Sequence, residues 1–582
     1  MTFTRWTRTS LALTMALAFG AVQGAAAADN ATAQPTGVKK KGPPPIKVAK
    51  AVQPFLWENA TVYFVLTDRF SNAFTGNDLA YGRQKDAAPL RGFMGGDLAG
   101  IINKINDGYF DKLGVTAIWL TPPVEQIHAP TDEGTGKSYG FHGYWAKDFT
   151  TVDANLGTET DFRNLVDAAH AHGIRVILDV VMNHTGPVTN IDTVWPQEWV
   201  RTEPECTHQD APSTISCTLV KNLPDIRTDS DAEVELPPQL VEKWRREGRY
   251  TQQVKELDEF FAKTGYPRAP RYYLMKWHAD WIRKFGVDGF RADTVKHVEA
   301  KVWKELRTVA DAAYDDWKRA NPDKKFSDKF YMTAEVYNYD IAHGQNFDLG
   351  GGVTANYYQN GFDSLINFGL VRDANQDYEP LFASYSKMLH GGGLQGYSVL
   401  NYLDSHDFDP PFDAARKRPF ESATKLLLAP GAAQIYYGDE TARKLDIADA
   451  TGDAKLRSFM NWDELAQNAQ RDGYKVADVY EHWSRLGQFR RAHVAVGAGM
   501  HQQLQARPYI FKRTYDQNGI SDKVVVALDL PTDRASKINV HGAFANGQKV
   551  RDYYSGKTAV VRAGSVTFDA RNALVLIGQD QP

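Results

Sequence analysis

The chain is predicted to be an α/β protein: a closed (β/α)8 barrel of the TIM type, with an inserted subdomain after its third strand and a C-terminal antiparallel β domain. Three observations predict it. Eight short apolar runs alternate with amphipathic stretches, the connection after the third run is too long for a simple loop, and beyond residue 493 the pattern changes to short β-rich runs with turn residues between them. The 582 residues are enough for several domains and a large core, at roughly 100–200 residues per domain.

The segments follow in chain order. Arg5 and Arg8 precede an apolar run over residues 11–22, and alanines at 25–28 before Asp29 give a small-residue cleavage pattern, so residues 1–28 read as an export signal. An uncleaved membrane anchor is the alternative, but this run is shorter than the ~20 residues that span a bilayer, and no later segment reaches that length. Residues 29–54, rich in Ala, Pro and Lys around Gly42-Pro43-Pro44-Pro45, read as a linker. The barrel is expected over 55–182 and 271–495, the inserted domain over 183–270 and the C-terminal β domain over 496–582.

The eight candidate strands are 61–67, 115–120, 174–181, 287–292, 329–335, 364–368, 398–403 and 432–437. Between them, Leu274, Trp277, His278, Trp281, Ile282 and Phe285 recur at three- and four-residue spacing before Gly286, which predicts a helix with a glycine stop. Thr158 is placed to cap a helix that buries Phe162, Leu165, Val166 and Ala169 and ends at Gly173. A helix over 481–493 closes the series.

The formal net charge of −4 provides no broad basic field, so neither nucleic acid nor an anionic membrane is expected as a partner and a neutral substrate fits better. Abundant Trp and Tyr suit either an ordinary core or a sugar site built on flat apolar faces, and composition does not separate the two. The two cysteines, Cys206 and Cys217, share one loop-like stretch. In an exported chain they are expected to form a disulfide, with two structural thiols as the alternative.

Barrel enzymes place their chemistry at the C-terminal ends of the strands. There the third run ends in Asp179-Val180-Val181-Met182-Asn183-His184, the fourth in Gly289-Phe290-Arg291-Ala292-Asp293, the fifth in Thr333-Ala334-Glu335 and the seventh is followed by Ser405-His406-Asp407. One such acid alone would most often be a salt-bridge partner or a helix cap. Three converging with two histidines and an arginine suit a retaining glycosidase, which needs a carboxylate nucleophile and a carboxylic acid about 5–5.5 Å apart. Arg291, two residues before Asp293 on the same strand face, is expected to keep that aspartate ionised as nucleophile. Glu335, flanked by Ala334 and Val336, is expected to hold a raised pKa and act as the acid. Asp407 is then expected to hold sugar hydroxyls, with His184 and His406 as hydrogen-bond donors, neutral or charged.

These four segments resemble the signature regions of the α-amylase superfamily, glycoside hydrolase family 13, and the resemblance covers most of residues 57–499. It implies Asp293 as nucleophile, Glu335 as acid/base and Asp407 as transition-state stabiliser, with Arg291, His184 and His406 around the same sugar. Phe141-His142-Gly143-Tyr144-Trp145 resembles the motif whose tyrosine stacks on the cleaved sugar, which implies His142 and Tyr144 as substrate contacts; in isolation Tyr144 and Trp145 would read as core. Thr294-Val295-Lys296-His297 resembles the amylase form of the fourth-strand motif, implying Lys296 and His297 on the leaving-side sugars. Leu223-Pro224-Asp225-Ile226 resembles the amylase form of the inserted-domain motif, and Pro430-Gly431 through Tyr436-Tyr437-Gly438-Asp439-Glu440 the eighth-strand pattern. Hydrolysis of internal α-1,4 bonds in maltooligosaccharide or starch is thereby implied.

Within the family, the export signal and the runs Tyr63–Phe70 and Leu428–Ala432 are most similar to bacterial periplasmic α-amylases, implying a periplasmic enzyme, or alternatively one secreted to the medium, with a monomer favoured. Ser405 departs from the pattern, since many relatives carry Asn there. The resemblance also implies Ca2+, held by Asn183, Asp225 and the His297 carbonyl. A second ion is implied near Asn72, Asn77, Asp78, Gly95 and Asp97, in a loop where Phe74 replaces an aspartate of some relatives. A 4-α-glucanotransferase or other transglycosylase on the same scaffold is the nearest rival. A non-catalytic glucan-binding protein would be expected to lack one of the catalytic acids, and none is missing; a phosphate-binding barrel finds no Gly-rich loop to support it.

Overall fold

The structure, a computed structural model, describes residues 55–580 apart from 133, 324, 325, 327, 408 and 409. The expected export signal and linker lie outside the described residues. Among the described residues no helix is long and apolar enough to cross a membrane.

Eight parallel strands close into a barrel in chain order: β1 (Thr61–Val65), β2 (Ala117–Leu120), β3 (Arg175–Val180), β4 (Gly289–Ala292), β5 (Tyr331–Ala334), β6 (Ser364–Asn367), β7 (Ser398–Asn401) and β8 (Ala432–Tyr436), with β8 pairing back onto β1. Each falls inside the run that predicted it. The apolar runs overshoot the strands by a few residues because the barrel's end loops are buried as well; Thr67–Phe70, for example, turns into a short buried helix. All eight strands are buried along their length, as expected of a sheet covered on both faces.

Helix α1 (Glu159–Ala171) starts at Thr158, whose hydroxyl accepts from the Asp161 N–H while the Asp161 carboxylate reaches back to the Thr158 N–H. This capping box fixes the start of α1. Helix α2 (Pro270–Phe285) ends at Gly286 in the left-handed region (φ 77°), where a Cβ would lie 2.1 Å from the Trp317 ring. The close approach of the following helix, α3 (Ala300–Ala320), leaves room for glycine alone.

Between β3 and α2 lies the inserted segment. It holds the two-stranded pairing of Val200–Arg201 with Asp225–Ile226 and two helices over Pro238–Arg246 and Tyr250–Thr264 that the sequence reading did not resolve. Their apolar faces reach the barrel through Trp244 and Phe261, which pack on Trp277 and Tyr273 of α2. Cys206 and Cys217 are joined in a disulfide, as expected.

The last barrel helix, α4 (Val476–Ala492), begins five residues before the expected 481, since Val476 and Val479 extend its buried face. After it, a six-stranded antiparallel sheet starts at Met500 and packs one face on the barrel, where Phe511 meets Phe382, and the other on its own core around Ile510, Val525 and Ile577.

Candidate active site

The barrel register places three polar side chains in one layer: Asp179 of β3 lies beside Arg291 of β4, which lies beside Thr333 of β5. Asp293 and Glu335 follow immediately where β4 and β5 end, so both carboxyls stand at the barrel mouth. The Arg291 guanidinium spans them. Its Nη1 is 2.7 Å from Asp293 Oδ1 and 3.0 Å from both Asp179 oxygens, and its Nη2 is 3.0 Å from Glu335 Oε1. One guanidinium thus holds both carboxyls, which fits the close carboxyl pair of a retaining site rather than the separation of roughly 6.5–9.5 Å that leaves room for a water.

Thr294 adopts a left-handed backbone (φ 47°), and its N–H donates to Glu335 Oε2 at 2.8 Å. Such a conformation is costly for a β-branched residue. Here it aims a backbone donor at one oxygen of Glu335. The Glu335 carboxyl is pushed up to about 7, first by burial, then by the nearby charges of Asp293 and Asp407, against the lowering effect of Arg291. Asp293 is also raised, because burial outweighs the lowering effect of Arg291. In so close a pair the proton belongs to both carboxyls rather than to either alone.

Tyr144 donates its hydroxyl to Asp179 Oδ2 at 2.8 Å, Trp119 Nε1 donates to the same oxygen at 3.1 Å, and the Tyr144 ring stacks on His406 at 5.4 Å. His184 donates from Nε2 to the Tyr144 carbonyl, and the Tyr144 N–H donates to His142 Nδ1. Burial lowers all four site histidines, His184 and His297 to about 4 and His142 and His406 well below their ordinary range. Of the two states left open by the sequence, the neutral one is therefore favoured.

Asp407 stands 3.3 Å from His406 Nε2 and 3.5 Å from Arg457 Nη2. Arg457 also pairs with Asp453 at 2.7 Å and donates from Nε to the His406 carbonyl at 2.9 Å. Lys296 lies with its ammonium 5.1 Å from the Tyr337 ring centroid, and Tyr337 is 41% exposed, an unusual state for an aromatic two residues beyond a buried acid.

The implied metal ligands also meet. The Asn183 carbonyl accepts from the Ile226 N–H at 2.8 Å, which laces the inserted segment to the end of β3 and sets Asp225 beside Asn183. The Asn183 amide is placed with its oxygen 3.0 Å from the His297 carbonyl oxygen and 3.2 Å from Asp225 Oδ1. So placed, the amide oxygen faces two further acceptors and is repelled by both. Either the amide turns and donates to both, or a cation stands among them; these separations suit oxygens sharing one Ca2+ at roughly 2.3–2.6 Å. The Asp225 carboxyl is pushed up to about 9 by burial, and although Arg201 Nε is 3.3 Å away, Asp225 Oδ2 has no aligned hydrogen bond. An oxygen-rich, single-acid donor set of this kind fits calcium. Among the described residues no group of three or more acid, histidine or cysteine side chains gathers as a metal site, so any ion here relies on the amide and carbonyl oxygens.

The second cluster is only partly assembled. Asn72 donates to Asp78 Oδ1 at 3.0 Å, and Gly95 (φ 91°) makes room for them, since a Cβ there would lie 2.3 Å from Asn72 Nδ2. Asn72 Oδ1 and Asn77 Oδ1 are buried without a hydrogen-bond partner. The Asp97 carboxylate is committed to the N–H groups of Ala73, Phe74 and Gly100, capping the helix Leu98–Asn106.

The α-amylase catalytic-domain family model matches residues 64–499. The periplasmic α-amylase of Escherichia coli (strain K12) is 37% identical over 534 residues, which cover 81% of this chain and 72% of that one. The chain belongs to the α-amylase family. An α-amylase of Streptomyces lividans is 28% identical over 83% of this chain, and a cyclomaltodextrin glucanotransferase of Paenibacillus macerans 27% identical over 79%; the matches span only 56% and 58% of those longer proteins. Among solved structures, the α-amylase of Geobacillus thermoleovorans complexed with acarbose superposes with a TM-score of 0.62 at 22% identity, over 91% of this chain and all of that one, a likeness of fold.

In this α-amylase-family barrel every expected catalytic and sugar-contacting residue lies at the mouth of the barrel or in the loops that wall it. Four participants were not singled out from the sequence. Asp179, inside a quoted motif, is the buried acid that orients Arg291 and is itself pushed up to about 8 by burial. Trp119 of β2, in register with Ile177, reaches the Asp179 carboxyl through its indole N–H. Arg457 and Asp453 come from a loop after β8 with no local pattern, and only the fold brings them to Asp407. The departure at Ser405 is mild, as its hydroxyl lies 3.3 Å from His406 Nδ1.

Proposed function

We propose that the protein hydrolyses internal α-1,4 bonds of maltodextrins or starch with retention of configuration, using Asp293 as nucleophile and Glu335 as acid/base. The observation that carries this reading is the single guanidinium of Arg291 touching both carboxyls, with Glu335 pushed up to about 7. The neutral Glu335 protonates the leaving oxygen while ionised Asp293 attacks the anomeric carbon. Glu335, now a carboxylate, then takes a proton from the water that releases the covalent sugar. Asp407, held by Arg457, accepts hydrogen bonds from sugar hydroxyls as the ring flattens, with neutral His142, His184 and His406 beside it. Tyr144 lies under the same sugar, and Lys296, His297 and exposed Tyr337 face the leaving side.

A calcium ion on Asn183, Asp225 and the His297 carbonyl would tie the inserted segment to the loop after β4 and hold the wall of the cleft. A second equivalent would take the Asn72, Asn77, Asp78, Gly95 and Asp97 loop. We propose a periplasmic, monomeric enzyme; the export-signal pattern over residues 1–28 and the name of the 37% identical relative support the location.

Transfer to a sugar acceptor is the second reading, favoured by the several relatives named cyclomaltodextrin glucanotransferases. Incubation with maltohexaose and with an α-1,6-linked glucan, with products resolved by chain length, tests both. Shorter maltooligosaccharides from maltohexaose alone support hydrolysis, longer products support transfer, and no cleavage sinks both.

A further inference from the structure

We infer that the Cys206–Cys217 loop is a positioning clamp for the leaving-side wall of the cleft, acting through a hydrogen bond from His297 to the Thr214 carbonyl. The inference rests on the proposed hydrolysis of α-1,4 glucans. The disulfide closes a segment whose cysteines are 11 positions apart. Inside it a short helical turn, Pro212–Ile215, is fixed by the Asp210 carboxylate accepting from the Ser213 N–H and by the N–H groups of Thr207 and His208 donating to the Ser213 carbonyl. At the mouth of the loop Cys206 N–H donates to the Thr218 carbonyl and Thr218 N–H to the Pro204 carbonyl.

The turn does not stand alone. His297 Nδ1 donates to the Thr214 carbonyl at 2.7 Å in a contact where both residues are buried, and the His208 ring meets the His297 ring edge-on at 5.5 Å. On its other side the loop meets the hairpin of Phe347–Asp348 with Thr354–Ala355, where a Cβ at Gly350 would lie 2.6 Å from the Gln209 carbonyl oxygen. The loop is thus wedged between the hairpin after β5 and the segment after β4.

That segment is short and stiff. His297 ends a turn, Val295–His297, that begins at strained Thr294, and the backbone of this stretch grips Glu335 twice, through Thr294 N–H to Oε2 and Val295 N–H to the Glu335 carbonyl at 2.9 Å. Lys296, beside it, sits near Tyr337. With Nδ1 committed to Thr214, His297 has one ring edge left for a sugar, and its direction is set by a loop that the disulfide keeps closed. Opening the loop frees Thr214 to move and leaves a buried imidazole N–H without its acceptor, a loss of the kind that weakens binding by about tenfold.

The chain has two cysteines, so thiol chemistry acts on this loop alone. The test compares wild type with Cys206→Ser/Cys217→Ser on two substrates: maltohexaose, which fills the leaving side with sugars, and an aryl maltoside, whose leaving group is an aromatic ring. The clamp predicts a fall of about tenfold in kcat/KM on maltohexaose, carried mainly by KM, a changed pattern of product lengths, and aryl maltoside turnover within about threefold of wild type. Equal losses on both substrates would mean general loosening and would overturn the clamp, as would unchanged maltohexaose kinetics. If the double variant does not fold, folded wild type reduced with a phosphine and then reoxidised provides the same comparison, with recovery on reoxidation required. Wild-type cleavage of maltohexaose is scored separately, since its absence would sink the proposed function rather than the clamp.

Discussion

Arg291→Met removes the one cation that touches all three buried carboxyls of the site. Arg291 is 1% exposed, with its Nη1 against Asp179 and Asp293 and its Nη2 against Glu335. Breaking a buried ion pair from one side costs about 3–5 kcal/mol. Protonation of the stranded acids relieves part of that, so the lower end applies to stability. For turnover, Asp293 must be ionised, and its ionisation is what the guanidinium favours. A loss of about 3 kcal/mol at 1.36 kcal/mol per tenfold corresponds to a fall of about two orders of magnitude in kcat. The sign of the pH effect is also fixed. Arg291 lowers the Glu335 pKa, so its removal lets the acid keep its proton to higher pH, and the alkaline limb of the rate profile moves up. Arg291→Lys keeps the charge but loses the fork that reaches both carboxyls, so it falls between the two. The assay is kcat and kcat/KM on maltohexaose across pH, with circular dichroism to confirm folding. A folded Arg291→Met enzyme within tenfold of wild type, or with an unmoved alkaline limb, would refute the reasoning.

The other expectations are simpler. Wild-type kcat/KM should fall on the alkaline side near pH 7, because the acid must be protonated and Glu335 is pushed up to about 7; a limb above pH 9 would assign the proton to another group. Asp407→Asn removes a negative charge that raises Glu335, so its residual activity should show that limb shifted to lower pH. Asp293→Asn and Glu335→Gln should each abolish turnover yet retain maltohexaose binding by calorimetry, and near-wild-type turnover in either would void the assignment. Chelation should lower the unfolding temperature and calcium should restore it, with Asp225→Asn insensitive to both; a chelator-indifferent wild type would remove the calcium proposal. Thr158→Ala should cost about 1 kcal/mol of stability through its lost helix cap and leave the kinetics unchanged.

The clustering of the candidate acids was legible in the sequence because each follows closely on a strand whose apolar run announces it. Asp293 and Glu335 each sit one residue past the observed ends of β4 and β5, and the barrel rule alone brings them together. The strand runs read well for the same reason that their ends read poorly: burial extends past the hydrogen-bonded ladder into the loops, so hydrophobicity marks the core and not the last strand residue. The inserted helices were missed because they serve the barrel from outside, and a long connection says only that something folds there. Charge states were the least legible. Arg291 beside Asp293 suggested a simple ion pair, whereas three acids share that arginine at near-complete burial, and desolvation raises them despite it.

That difference bears on how the site works. A nucleophile held ionised by its own arginine would function with or without its neighbours, but Asp179, Asp293 and Glu335 draw on one guanidinium, so any change of charge on one is felt by the other two. In the proposed reaction Glu335 gives its proton to the leaving oxygen and gains a charge beside Arg291 just as Asp293 loses its own to the covalent bond. The sum of charges around the guanidinium is the same before and after the step. A layer of this kind needs no reorganisation at the moment of reaction, and its cost is met in folding, by burying a charged cluster whose members are held by Trp119, Tyr144 and the Thr294 backbone. The leaving-side wall has no such layer. In the proposed reading its groups stand on a loop after β4 and are steadied from the inserted segment through the bond from His297 to Thr214.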